Sequence, residues 1–99
     1  MIYFQAMRKY ELTIVLDAKT SPAKRKAVRQ DIEKTITVFK GKLGTVLEWG
    51  EKELAYRIGK ANKGFLIHFP LQLTPDAAKK FIEKIKTEDV ILRYLFTEA

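Results

Sequence analysis

Apolar and polar residues alternate from Arg8 to Asp17, with Tyr10, Leu12, Ile14 and Leu16 on one side and Glu11, Thr13 and Val15 on the other. A period of two predicts a strand with one buried face. Ser21-Pro22 follows, a hydroxyl N-cap with proline at the first helical position, where its missing N–H does no harm. Val28, Ile32, Ile36 and Phe39 then recur at helical spacing, which predicts a helix with one apolar stripe. Lys24, Arg25, Lys26, Arg29 and Lys34 fall on its other face, where Arg29 and Glu33 are four apart, as expected of a solvated surface. Gly41 and Gly44 are expected to end this helix around Phe39.

Strand-forming residues return from about Thr45 to Ile58, on both sides of Gly50 and with Trp49 beside charges. A glycine inside a strand pattern marks a bulge or a close backbone approach, so one long strand kinked at Gly50 fits. Two short strands and a tight turn fit the propensities equally well. Gly59-Lys60-Ala61-Asn62-Lys63-Gly64 is polar, basic and bounded by glycine, which predicts a hairpin loop. In the strand expected from Phe65 to Leu73, Phe65, Ile67, Phe69 and Leu71 line one side and Leu66, His68 and Pro70 the other. Thr74-Pro75 repeats the capping device and opens a second helix with the stripe Ala78, Phe81, Ile82 and Ile85. Val90 to Thr97 reads as a last strand, apolar on both sides and interrupted by Arg93.

The order is therefore β-α-β-β-α-β. It predicts an α+β domain in which a four-stranded antiparallel sheet carries both helices on one face, since two helices cannot cover both. The other face must meet water or a partner. It would expose Val15, Leu66, His68 and part of the last strand, and an open apolar patch of that kind marks an interaction surface.

The 99-residue length fits one domain, expected over residues 7–99. Residues 1–6 contain Tyr-Phe-Gln before a small residue and are expected to be the remnant of an expression tag, with Met7 as the natural start. The absence of cysteine excludes a disulfide framework and thiolate metal sites. No apolar run approaches a membrane span and nothing resembles a secretory signal, so a soluble intracellular protein is expected. Charge changes the picture more: 19 Lys and Arg against 12 Asp and Glu leave +7, a balance that points to nucleic acid or another polyanion.

Catalytic chemistry is missing from the pattern. His68 is the only histidine and has no carboxylate or hydroxyl at informative sequence spacing, so neither a general base nor a metal site is expected. Acylphosphatases share this element order and hold phosphate in a loop after the first strand, but Asp17-Ala18-Lys19-Thr20-Ser21 contains no glycine. The chain is expected to be no enzyme and to need no cofactor. The RNA recognition motif also shares the order, and Lys63-Gly64-Phe65 resembles the start of its third strand. The resemblance ends at Leu66, Ile67, His68 and Pro70, and base stacking would turn Phe65 and Ile67 outward from the longest apolar row.

Three stretches resemble the family of bacterial ribosomal small-subunit protein six. They are Met7-Arg8-Lys9-Tyr10-Glu11-Leu12, the run Trp49-Gly50-Glu51-Lys52-Glu53-Leu54-Ala55-Tyr56-Arg57-Ile58, and Asp89-Val90-Ile91-Leu92-Arg93-Tyr94-Leu95. The resemblance spans residues 7–97 with all elements in order, and it favours the single bent strand. It implies a ferredoxin-like split β-α-β fold and a structural component of the small ribosomal subunit in the cytoplasm. It also implies pairing with small-subunit protein eighteen and binding to the central domain of the small-subunit ribosomal RNA. Arg8, Lys9 and Lys52 match the family's basic positions, and Arg93 joins them as a candidate RNA contact, its alternative being a structural pair with Asp89 or Glu11. Val15, Trp49, Leu66 and His68 are the candidate contacts to a protein partner. The family's usual basic residues are replaced by Glu51 and Glu53, and its usual proline by Arg57, so no RNA contact carries over to the two glutamates. Two other readings use the same fold: an RNA binder of the recognition-motif kind, and a ligand-sensing or oligomerising ferredoxin-like domain.

Overall fold

The computed structural model describes residues 7–58 and 61–99, with side chains described for 7–53 and 63–99. The expected tag remnant at residues 1–6, Gly59 and Lys60 of the expected loop, and the side chain of Arg57 lie outside the described residues.

The elements are β1 (Arg8–Asp17), α1 (Pro22–Val38), β2 (Lys42–Leu43), β3 (Leu47–Ile58), β4 (Ala61–Leu73), α2 (Pro75–Ile85) and β5 (Ile91–Glu98). All strand pairings are antiparallel, and the long strands run β3-β4-β1-β5 across the sheet. β2 joins the same edge of β4 as β3, pairing Lys42 with Gln72 and Leu43 with Leu71. The fold is the ferredoxin-like one expected, with this short fifth strand added. β4 begins at Ala61, so residues 61–64 are strand and not loop as the sequence suggested.

Both helices open as their sequences dictate. The hydroxyls of Ser21 and Thr74 accept from the backbone N–H groups of Lys24 and Ala77, and each is followed by proline. The end of α1 departs from the expected glycine cap. Lys40, not a glycine, takes the left-handed conformation at φ 59°. Its N–H donates to Thr37 O and the N–H of Gly41 to Ile36 O, both 2.9 Å, which is a Schellman closure. Gly41 is required for a different reason: a Cβ there would lie 2.5 Å from Leu73 Cδ2 and 2.7 Å from Gln72 O.

The core lies between the helices and one sheet face. Leu12, Ile14 and Leu16 of β1 and Ile67, Phe69, Leu71 and Leu73 of β4 are buried against Val28, Ile32 and Ile36 of α1 and Ala78, Phe81 and Ile85 of α2. Strand parity is as the alternation predicts, with Phe65 half-buried on the helix side beneath the Arg25 guanidinium, 4.2 Å from its ring centre. Phe39 and Ile82, expected in the helix stripes, pack only at the margin of the core. The one buried polar side chain among the described residues, Thr35, is satisfied by donating to Asp31 O at 2.8 Å.

Candidate functional site

Among the described residues, no helix covers the opposite sheet face. Antiparallel register determines what shares it, because directly opposed residues project to the same side. One cross-strand row runs Leu47–His68–Thr13–Leu95, and the next runs Gly50–Leu66–Val15–Arg93. Leu47 is 46% exposed, Trp49 45% and Leu95 63%, while Val15 and Leu66 are half-buried between them. The expected partner residues Val15, Trp49, Leu66 and His68 are thus brought together on one face.

A β-bulge organises this face. Glu48 pairs with Ile67 and Gly50 with Leu66, so Trp49 is the extra residue of β3. Gly50 sits at φ +80°, with nothing within 4 Å of where a Cβ would be, so its requirement is torsional and not spatial. Trp49 lies flat on His68, ring centres 5.0 Å apart and planes 9° from parallel. Thr13 Oγ1 holds the other side of the imidazole at Nδ1, 2.9 Å away. Thr13 is therefore a hydroxyl partner for His68 that sequence spacing did not expose, because the two are 55 residues apart.

The extra residue also resets the alternation beyond it. With no bulge, Glu51 and Glu53 would share the face of Trp49. With it, Lys52 is opposite Gly64 on the uncovered face, while Glu51 and Glu53 are opposite Phe65 and Lys63 on the helix side. The acidic departures from the resemblance therefore point away from the face that carries Trp49.

The expected RNA contacts divide. Lys9, opposite Gln72, Lys52 and Arg93 share the uncovered face and are exposed. Lys9 lies at one end, about 27 Å along the strands from the row of Lys52, at ~3.4 Å per residue. Arg8 faces the helix side and donates to Glu98 at 3.2 Å, so it is not joined to the other three. Lys42, opposite Gln72 and so next but one to Lys9, extends the basic end and was not expected. Glu11 and Asp17 are the acidic residues of β1 on this face, and the Asp17 carboxylate is engaged by the N–H of Lys19 at 2.9 Å. Sequence reasoning missed Leu47, which precedes the bulge, and did not single out Leu95, although the alternation of β5 contains it.

The basic face of α1 is less free than expected. Arg25 donates to Thr20 O at 2.9 Å besides covering Phe65. Arg29 donates to Glu33 at 3.1 Å and to Glu48 at 2.7 Å. Those hydrogen bonds, the one to Glu48 first, raise the Arg29 pKa above its ordinary value. Lys24 and Lys26 remain exposed. Among the described residues no cluster of His, Asp or Glu could hold a metal ion, and no helix is long and apolar enough to cross a membrane.

Residues 9–98 match the family model described as Ribosomal protein S6. The small ribosomal subunit protein bS6 of Beutenbergia cavernae is 33% identical over 90 residues, covering 88% of this chain and 91% of the relative. That of Alkaliphilus metalliredigens is 32% identical over 89 residues, covering 90% of this chain and 94% of the relative. The crystal structure of 30S ribosomal protein S6 from Thermotoga maritima superposes with a TM-score of 0.89 at 20% identity, covering 95% of this chain and 89% of that one.

Proposed function

The chain belongs to the ribosomal protein S6 family, structural components of the small ribosomal subunit without enzymatic activity, and from that premise we propose that it binds central-domain small-subunit ribosomal RNA jointly with protein eighteen. The observation that carries this reading is the uncovered sheet face. Leu47, Trp49, Leu66, Val15 and Leu95 form apolar ground beside the exposed cations Lys52 and Arg93, with Lys9 at the far end. An apolar centre flanked by cations suits a protein partner over the first and RNA phosphates along the second. Pairing then builds a composite surface that neither chain presents alone and holds an RNA junction in one geometry. The contribution is architectural and involves no turnover.

The test is titration of a central-domain RNA fragment with this protein, with protein eighteen and with both, over a range of salt concentrations. The expected result is tight binding only with both proteins, with an affinity that falls steeply as salt rises. RNA binding that ignores protein eighteen, with Phe65 or Ile67 variants losing it, would favour the recognition-motif mode. A ligand-dependent oligomer without RNA affinity would favour the sensing domain.

A further inference from the structure

Glu48 and Trp49 are sequence neighbours that work on opposite faces of the sheet. Glu48 faces α1, where Arg29 Nη1 donates to its Oε1 at 2.7 Å and Arg29 Nε donates to Glu33 Oε1 at 3.1 Å. Trp49 turns the other way, onto His68. Among the described residues β3 is paired along one edge only, to β4, so its position on the other edge is not fixed by a ladder. Gly50 permits the left-handed turn of the present bulge at φ +80° but, as a glycine, does not enforce it, and a step of one residue exchanges faces. With the extra residue one place earlier, Trp49 would oppose Ile67 and its indole would turn to the helix side. That same step would take Glu48 away from Arg29.

We infer that Arg29 is a positioning residue for the uncovered face: through Glu48 it sets the phase of the bulge and so holds Trp49 against His68, from the far side of the sheet. The three-charge arrangement suits this role because the guanidinium is itself held in place by Glu33 one helical turn away. A cation on the helix face then influences pairing without touching the partner. That functional consequence rests on the reading of the uncovered face given above; the positioning itself does not.

Trp49 is the sole tryptophan, so its fluorescence reports this site alone. The experiment compares Arg29→Gln and Glu48→Gln with Lys26→Gln, an exposed cation on the same helix that serves as the charge control. In the free protein, both bridge variants are expected to lower the Trp49 anisotropy and raise its quenching by acrylamide, while Lys26→Gln leaves both unchanged. Titration with protein eighteen is expected to show a loss of about two- to fivefold in affinity for the bridge variants, the reach of an exposed ion-pair network. Anisotropy and quenching in Arg29→Gln and Glu48→Gln equal to those of Lys26→Gln overturn the inference. A wild-type chain that does not pair with protein eighteen overturns the proposed function instead, and the fluorescence of the free chain still decides the role of Arg29.

Discussion

Thr13 Oγ1 and His68 Nδ1 lie 2.9 Å apart across the β1–β4 ladder, and that contact fixes the imidazole plane on which the Trp49 indole rests. The three side chains come from three strands, yet none belongs to the buried core. They form a flat aromatic platform whose outer surface is open. Large aromatic side chains in such positions supply a disproportionate share of binding energy when a partner covers them.

Trp49→Ala is therefore expected to weaken pairing with protein eighteen by about 2 kcal/mol or more while shifting the thermal midpoint little. Thr13→Val keeps the shape but frees the imidazole, and a smaller loss is expected, about 1 kcal/mol. Calorimetric titration beside thermal unfolding checks both. A Trp49→Ala protein that pairs like wild type would remove the platform from the interface.

Two left-handed positions respond in opposite directions. Gly50→Ala meets no atoms but must hold φ +80°, so its cost is torsional, about 1–2 kcal/mol. Lys40 already holds φ 59° with a side chain, and Lys40→Gly is expected to raise stability by up to about 1 kcal/mol at the Schellman closure. Denaturant midpoints for the two variants should move to opposite sides of wild type.

Much of this architecture was legible in residue order because short-range rules govern it. The alternation from Tyr10 to Leu16, the parity of Ile67 and Phe69, and the two hydroxyl-proline caps each depend on a few neighbouring residues. What was not legible depends on distant ones. The two residues of β2 are too few to show a period, and they are strand only because Gln72 and Leu71 pair with them. Ala61–Gly64 has loop composition, and tertiary pairing with β3 overrides it. The facing of Glu51, Lys52 and Glu53 turns on a single extra residue at Trp49, whose presence Gly50 signals but whose effect on parity only the register reveals. Arg29 and Glu48 are 19 positions apart, so charge pattern along α1 suggested only the local pair with Glu33.

Glu88, after α2, has its pKa raised, first by desolvation and then by its hydrogen bond and charge interaction with Asp31 of α1. Between the ordinary carboxylate range and that raised value the folded state binds more protons than the unfolded chain. Stability from this group accordingly falls as pH rises through the window and levels off above it. Glu88→Gln removes the penalty. The difference in thermal midpoint between the variant and wild type should be small in acid and grow in favour of Gln as pH rises past the carboxylate range. A difference independent of pH would mean that neither desolvation nor Asp31 perturbs the Glu88 carboxyl in the folded protein.

Core and uncovered faces of β4 should fail differently. Ile67 is fully buried, so Ile67→Ala is expected to cost about 2–5 kcal/mol of stability. Leu66, half-buried on the other face, should tolerate Leu66→Asp in the free protein and lose pairing, because a charge enters an interface from which water is excluded. Thermal unfolding and partner titration of both variants separate the two, and an unfolded Leu66→Asp beside a stable Ile67→Ala would invert the parity.

The bulge makes the sharpest prediction about RNA. Lys9, Lys52 and Arg93 share the uncovered face, whereas Arg8 is turned to the helices. Replacing Lys9, Lys52 or Arg93 with Gln should each flatten the salt dependence of RNA binding by roughly 0.7–0.9 in log–log slope, one phosphate contact apiece. Arg8→Gln should leave the slope nearly unchanged. Glu51 and Glu53 provide the internal control, since they neighbour Lys52 in sequence but face the other side. If the parity set by Trp49 governs recognition, Glu51→Gln and Glu53→Gln should leave binding within about twofold of wild type at moderate salt, where exposed charges beyond a Debye length of about 8–10 Å are screened. A Glu51→Gln protein that binds RNA much more tightly would place that carboxylate beside the phosphates. Lys52 would then have to face the helices, contrary to the register of β3.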